Sequence, residues 1–238
     1  MTKLIPLADD LWCAESELRT PLGVVFPIRM TVVRHGDELT LLSPIAVDDD
    51  LGRALETLGR VRNIVAPNLF HHVHLEAAAQ RFPQASLWAP PGLAKKRPDL
   101  TFDATLEGGS TPFGLEVLAL EGAPALHEHV FFHAPSGTLV VTDLVFNMSD
   151  AANWISRFVF RYVARAYQRV AQSRLFRLFV KDRAAAASSL GRMLELDFDR
   201  LVMAHGDIVA TGGRAALAEG TRWMQSGGTT TPVLTAAV

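Results

Sequence analysis

Residues 61–90, VRNIVAPNLFHHVHLEAAAQRFPQASLWAP, contain the succession of patterns that decides the fold. The short apolar run VRNIV stops before Pro67 and predicts a buried strand. The Ala-rich stretch after the histidines predicts a helix that ends at Pro83, and SLWA predicts the next strand. A strand, a loop, a helix and a strand in this order predict an α/β fold with a histidine-rich loop at the end of a buried strand.

Short apolar runs on both sides of this stretch predict two separate groups of strands. On the N-terminal side, residues 28–36 and 38–45 flank the turn HGDE and predict a β-hairpin. On the C-terminal side, residues 115–122, 129–135 and 137–147 predict a second run of strands. We therefore expect two sheets packed together, with helices on the outside.

The composition is that of a globular domain without disulfide bonds. Of the 238 residues, 49% are hydrophobic and 20% are charged, and the formal net charge is −2, so nucleic acid is not an expected partner. Cys13 has no second cysteine to pair with, which fits a reducing compartment. The sequence has no secretory signal pattern and no apolar stretch of ~20 residues. We therefore expect a cytoplasmic protein.

Residues 150–181 differ in composition from the rest of the chain. Seven basic residues and no acidic one occur between Arg157 and Lys181, and aromatic and aliphatic residues recur there at helical spacing. The pattern predicts an amphipathic helical segment with a basic face. Such a face is suited to solvent, to a homodimer interface, to contact with a membrane surface, or to binding of nucleic acid or an acidic partner.

Histidine and carboxylate side chains occur near the ends of several predicted strands. They are His71, His72 and His74, then His127, Glu128 and His129, then Asp143, and finally His205. Loops at strand ends gather at one edge of a layered α/β fold. Zinc binds histidine nitrogen and carboxylate oxygen, and a catalytic zinc keeps one position open for water. These positions therefore indicate a metal site.

The order of these segments resembles the metallo-β-lactamase superfamily over nearly the whole chain. VVRHGDELTLLSPI (32–45) is similar to the opening hairpin of that family, and residues 64–90 are similar to its histidine-loop segment. HVFFHAPSGTLVVTDLVF (129–146) resembles the segment that carries the bridging aspartate, which falls on Asp143. LVMAHGD resembles the closing Gly-His-Gly turn and puts the last histidine ligand on His205. The branch it resembles is an uncharacterised one, known as a domain of unknown function.

This resemblance implies a specific α/β architecture. It is a four-layer αβ/βα sandwich of two mixed sheets with outer helices, formed as one domain over residues 1–238 with a helical insertion at 150–181. The family site lies on the edge between the two sheets. Because the segment after the aspartate usually lies over or beside that site, we expect residues 150–181 to form a lid that narrows the pocket or mediates dimerisation.

Several positions depart from the family motifs. The loop motif His-x-His-x-Asp-His is not in register in NLFHHVHL, and its acidic residue is missing if Pro67 or Asn68 takes the first histidine position. The opening hairpin has Ser-Pro-Ile in place of Asp-Thr-Gly. Pro124 stands where the mid-chain histidine belongs, and His127 or Glu128 would replace that ligand only in a rebuilt loop. We therefore expect an altered site and not the standard dinuclear zinc centre.

The predicted metal ligands are drawn from His71, His72, Glu128, Asp143 and His205. His74 is expected to be a surface residue of the following helix. One hypothesis is a metal-dependent hydrolase, with one zinc or other divalent transition metal, that acts on an ester, amide or phosphoester of a small molecule. The alternative is a non-hydrolytic binding or regulatory protein on the same fold that has lost its metal.

Overall fold

Two mixed β-sheets form the centre of the molecule, and the computed structural model describes residues 2–225. The tail from Ser226, for which the sequence predicts a frayed end, lies outside the described residues. The first sheet has seven strands in chain order. These strands are β1 (Leu4–Ala8), β2 (Leu11–Arg19), β3 (Val25–His35), β4 (Glu38–Leu42), β5 (Arg60–Val65), β6 (Ser86–Ala89) and β7 (Ala104–Thr105).

The second sheet has five strands in the order β12-β11-β10-β9-β8. They are β8 (Gly109–Ser110), β9 (Glu116–Ala119), β10 (His129–His133), β11 (Thr138–Val141) and β12 (Arg200–Met203). Strand β4 is parallel to β5, and β11 is parallel to β12, whereas the hairpins β2-β3 and β10-β11 are antiparallel. The parallel arrangement of the first sheet continues through β6 and β7, whereas β11-β12 is the parallel pair of the second sheet. The loops after β4, β5, β11 and β12 approach one another.

The α-helices of residues 2–225 flank the two sheets, and all but α4 pack against the buried clusters on the outer faces. They are α1 (Asp49–Leu58), α2 (Leu75–Arg81), α3 (Leu93–Lys96), α4 (Trp154–Phe158), α5 (Arg174–Phe179), α6 (Arg183–Glu195), α7 (Gly213–Gly220) and α8 (Arg222–Gln225). Helix α1 begins where the side chain of Asp48 accepts a hydrogen bond from Leu51 N, and α6 begins where Asp182 accepts one from Ala185 N. No helix within residues 2–225 has the length and apolar character that a bilayer crossing requires.

Three buried clusters give the molecule its four layers. The cluster between the two sheets combines Val33 and Val65 of the first sheet with Phe131 and Val202 of the second. A second cluster joins the first sheet to α1 and α2, and a third joins the second sheet to α6 and α7. The helix–sheet–sheet–helix order and the two mixed sheets agree with the predicted αβ/βα sandwich.

The segment 150–181 is not the continuous helix that its spacing predicts. Helix α4 continues into a π-helical turn, Val159–Ala164, and then stops at Arg165, which has a left-handed backbone (φ 58°). The chain is irregular until Ser173, whose hydroxyl accepts hydrogen bonds from the first amides of α5. The apolar residues of this segment do not form one buried stripe, since Trp154 is 77% exposed.

Candidate metal centre

The loop after β5 is shaped by the buried side chain of Asn68. Its Oδ1 accepts hydrogen bonds from the backbone amides of Phe70 and His71, each at 2.8 Å. This local turn is the kind that asparagine side chains form with the amides two and three residues ahead. It turns the chain back toward the second sheet and carries the His71 ring with it.

Three side chains from separate strand ends converge beside this loop. His71 follows β5, Asp143 follows β11 and His205 follows β12. The Nε2 atoms of the two histidines lie 3.2 Å apart. The Asp143 carboxylate places Oδ2 3.4 Å from His71 Nε2 and Oδ1 3.3 Å from His205 Nε2. All three residues offer ligand atoms within 4.8 Å of one another.

These spacings fit a tetrahedral metal ion. A tetrahedral centre with bonds of about 2.05 Å separates its ligand atoms by about 3.3 Å. The two Nε2 atoms have this spacing, and the Asp143 carboxylate places a different oxygen at a similar distance from each of them. Two imidazole nitrogens and a carboxylate also form a donor set that zinc and related divalent metals accept. The three residues therefore fit one metal ion with a fourth position left open.

Hydrogen bonds on the far side of each ring orient the two histidines. His205 Nδ1 lies 2.9 Å from the carbonyl oxygen of Pro27, which can only accept, so Nδ1 carries the proton and Nε2 keeps its lone pair. His71 Nδ1 lies 2.7 Å from the hydroxyl of Ser43, which directly follows β4. A partner of this kind fixes the ring and makes the other nitrogen a better ligand.

A buried carboxylate lies directly behind Asp143. Oε1 of Glu128 accepts hydrogen bonds from the amide and hydroxyl of Thr142, at 2.9 and 2.7 Å, and from the amide of Asp143 at 3.0 Å. The amide nitrogen of Asn68 donates to Glu128 Oε2 at 2.6 Å and to Asp143 Oδ2 at 2.8 Å. Asn68 thus bridges the two carboxylates, and Glu128 fixes the chain that carries Asp143.

The charges in the site shift the pKa values of three of its groups. Burial and the neighbouring Asp143 raise the pKa of Glu128 to about 7, although its hydrogen-bond donors oppose the rise. Burial would raise the pKa of Asp143, but His71 and His205 outweigh it and lower that pKa. Burial would lower the pKa of His71, but the carboxylates of Asp143 and Glu128 raise it. The site is therefore an anionic environment that favours a bound cation.

The other predicted ligands lie outside this group. His72 turns away toward Arg97, whose guanidinium donates to the His72 carbonyl at 3.1 Å, and burial with Lys96 and Arg97 lowers the His72 pKa. Glu128 is close by, but both of its oxygens accept the hydrogen bonds described above. His74 borders the neighbouring cavity and is not one of the three converging residues.

A cavity of about 390 Å³ lies in front of the three residues. Its walls come from the hairpin β2-β3, the loop after β5, and the segment after Asp143. Most of the lining is apolar, and the larger side chains are Phe26, Ile45, Phe70, Phe146, Met148, Phe160, Phe176 and Phe179. The lining within the described residues includes no lysine or arginine. Segment 150–181 therefore forms part of the cavity wall.

Two residues that complete the site are not among the predicted ligands. Asn68 and Ser43 both occupy positions where the sequence departs from the family motifs, in NLFHHVHL and in SPI. A buried asparagine at a strand end is a signal for a local turn, but only the three-dimensional structure shows that it also joins two carboxylates from the second sheet.

Comparisons of the sequence with known families and curated proteins give little information about function. A family profile described as a domain of unknown function (DUF4336) matches residues 8–95. The comparison with curated proteins found no match.

Solved structures resemble the chain over almost its full length. DIM-1 metallo-β-lactamase exposed to ceftazidime has a TM-score of 0.66 at 13% identity and covers 95% of this chain and 98% of its own. The metallo-β-lactamase of Erythrobacter litoralis has a TM-score of 0.63 at 17% identity, covering 94% and 92%. FIM-1 from Pseudomonas aeruginosa in the mono-zinc form has a TM-score of 0.61 at 14% identity, covering 92% and 95%.

The molecule therefore has the metallo-β-lactamase fold, as the sequence resemblance predicts. Its strand-end site brings together His71, Asp143 and His205, close enough to bind a metal ion. At these identities the likeness shows the fold alone.

Proposed function

We propose that this protein is a metal-dependent hydrolase with a single metal site formed by His71, Asp143 and His205. The observation that supports the proposal most directly is the convergence of these side chains: the two Nε2 atoms lie 3.2 Å apart, and the two Asp143 oxygens lie 3.4 Å from His71 Nε2 and 3.3 Å from His205 Nε2. Three protein ligands with one open position are typical of catalytic zinc, whereas structural zinc has four. A zinc ion bound there would lower the pKa of its water toward neutrality and polarise a substrate carbonyl.

The lining of the cavity favours an uncharged, hydrophobic substrate. Apolar side chains surround the open side of the site, and no lysine or arginine of the described lining could neutralise a phosphate or carboxylate. A cavity of about 390 Å³ suits a short acyl or aromatic group. Among the bonds open to this chemistry, we therefore propose carboxylic esters and thioesters and not phosphoesters.

Metal titration tests the site itself. Calorimetric titration of metal-free protein with zinc is expected to show one equivalent bound, and His71→Ala, Asp143→Ala and His205→Ala are each expected to remove it. His72→Ala is the matched control, because His72 lies in the same loop but faces Arg97. Undiminished uptake by all three alanine variants would rule out this ligand set.

Hydrolysis is then measured on p-nitrophenyl esters of increasing acyl length, with the phosphate ester as comparison. We expect kcat/KM to rise about fourfold per added methylene until the cavity is filled, since burying one methylene is worth about 0.8 kcal/mol. Metal chelation should abolish the activity. Metal binding without turnover of any ester would instead favour the binding or regulatory alternative.

A further inference from the structure

Exposed apolar side chains are concentrated on the segments that border the cavity. Of the ten large hydrophobic residues that are exposed in the described chain, nine lie on segments that border the cavity, and only Ile5 lies elsewhere. We call these nine the apolar rim: Leu22, Phe70, Val73, Trp154, Phe158, Tyr162, Val163, Leu175 and Leu178. Soluble proteins normally scatter such residues, and a contiguous patch marks an interaction site.

The buried side of α4 shows why these residues face outward. Ser156 Oγ accepts a hydrogen bond from Val25 N at 2.9 Å, and Asn153 Nδ2 donates to the Gly23 carbonyl at 3.0 Å. Both contacts hold the start of α4 against the tip of the β2-β3 hairpin. Trp154 and Phe158, four residues apart, are then left on the open side at 77% and 54% exposure.

Positive charge lies on the same segment as six of the nine rim residues. Seven basic residues from Arg157 to Lys181 are exposed, and none of them lies within 4 Å of a carboxylate in the described part of the chain. Burial and the neighbouring Arg174, Arg169 and Arg165 lower the pKa of Arg177. The arginines are therefore close enough to repel one another, and they have no carboxylate partner among residues 2–225.

We propose that the apolar rim and its arginines dock the protein on an anionic lipid surface. Aromatic and aliphatic side chains beside arginine match the boundary between acyl chains and headgroups. Basic residues near that boundary attract anionic lipid, each with a several-fold effect on affinity. Phe70, Val73 and Leu175 are both exposed and part of the cavity wall, so the cavity opens toward the lipid.

The same features argue against two other partners. A second copy of the chain would bring seven positive charges against another seven, without an acidic residue in the segment to pair them. Nucleic acid would match the charge but not the exposed leucine and valine side chains. Docking on lipid uses both the positive charge and the exposed apolar side chains. It does not depend on metal binding or on hydrolysis.

Vesicle binding of the full chain tests the proposal, measured by co-sedimentation in the presence of a chelator so that the metal site plays no part. We expect binding to phosphatidylcholine vesicles that contain phosphatidylglycerol and little binding to phosphatidylcholine alone. The variant Arg157→Gln/Arg161→Gln/Arg174→Gln should lose at least tenfold in affinity. The control Arg53→Gln/Arg60→Gln/Arg222→Gln removes the same charge from other exposed sites and should bind as the wild type does.

A second pair of variants tests the apolar part. Trp154→Ser should weaken vesicle binding several-fold, whereas Ile5→Ser, at an exposed large apolar residue away from the rim, should not. Vesicles should also shift the tryptophan emission to the blue, and Trp154→Phe should remove most of that shift.

Equal loss of affinity in both triple-arginine variants would overturn the proposal, as would no binding of the intact protein to anionic vesicles. Two further results would also overturn it. One is a protein that does not bind vesicles but sediments as a dimer, which Trp154→Ser dissociates. The other is a protein that does not bind vesicles but binds nucleic acid in a salt-sensitive manner. A protein that binds vesicles but takes up no zinc would retain the docking surface and lose only the proposed hydrolase function.

Discussion

The Nε2 atoms of His71 and His205 face each other at 3.2 Å, although the two residues are 134 positions apart in the sequence. Each ring is oriented from behind, by Ser43 and by the Pro27 carbonyl respectively. Two lone pairs at this distance repel unless a proton or a cation lies between them. The Asp143 carboxylate on the same side supplies negative charge, so the arrangement is complementary to a metal ion.

Ser43 should tune metal affinity although it does not reach the metal position. Removing its hydroxyl frees the His71 ring, and loss of such an orienting hydrogen bond typically weakens metal binding 10- to 100-fold. We expect Ser43→Ala to raise the zinc Kd by that factor in a calorimetric titration. Ser110→Ala, on the exposed strand β8, is the control, and equal affinities in the two variants would contradict the role of Ser43.

Metal should stabilise the fold in a manner that depends on Asp143. A ligand present at 100 times its Kd raises the free energy of unfolding by about 2.7 kcal/mol when it binds only the native state. We expect this gain in urea unfolding of the wild type with zinc and none in Asp143→Ala. A similar gain in the variant would mean that zinc binds elsewhere on the chain.

Glu128 should matter more for stability than for metal contact. Its carboxylate is fully buried, and both of its oxygens accept hydrogen bonds. In Glu128→Gln the new side-chain NH₂ group would face the NH₂ group of Asn68, so two donors would meet without an acceptor. We expect Glu128→Gln to lower the free energy of unfolding by about 2 kcal/mol. Glu116→Gln, at an exposed position on β9, should change it by less than about 0.5 kcal/mol. Chemical denaturation of both variants checks the difference.

Gly206 is held in a position that excludes a side chain. Its φ is +89°, and a Cβ there would lie 2.1 Å from the carbonyl oxygen of Asn147. We expect Gly206→Ala to cost about 3 kcal/mol of unfolding free energy, from the left-handed backbone and the clash together. Gly36 also has a positive φ but open space around it, so Gly36→Ala should cost only about 1 kcal/mol. Equal costs in denaturant melts would show that the contact with Asn147 relaxes.

Acid should destabilise the protein through His129. Burial lowers the pKa of this histidine, whose Nδ1 donates to the His127 carbonyl. The unfolded chain takes up a proton near pH 6.5 and the native ring does not, so stability is lost as the pH falls below that value. Between pH 7.5 and 5.5 we expect the wild type to lose about 1 kcal/mol more than His129→Gln. Parallel pH profiles of unfolding would contradict this assignment.

The patterns in residues 28–45, 61–90 and 115–147 predicted two packed sheets with outer helices, because strand and helix periods are local properties of a sequence. The four-layer order was implied by the family resemblance. Asp143 and His205 follow strands whose pattern is equally clear, and the family resemblance indicated both of them as ligands. His72 could not be separated from His71 by the sequence. The direction of each ring depends on the turn made by Asn68 and on Arg97, which is 25 residues further along the chain.

The segment 150–181 is the part of the fold that its sequence pattern did not predict. Its spacing suggested one amphipathic helix, and its aromatic residues could have belonged to a core. The left-handed residue Arg165 and the bridges that pair Met148 with Tyr167 break that helix. Such pairings join residues across a loop, and helical periodicity contains no information about them.

The division of the three ligands between the sheets has a consequence for the assembly of the chain. The first sheet, complete by residue 105, supplies only His71, and the second supplies Asp143 and His205. Neither half produced as a separate fragment could chelate a metal with all three groups. Two fragments divided between β7 and β8 would acquire the full chelate only on reassociation, so zinc uptake would report directly on the docking of one half of the sandwich to the other.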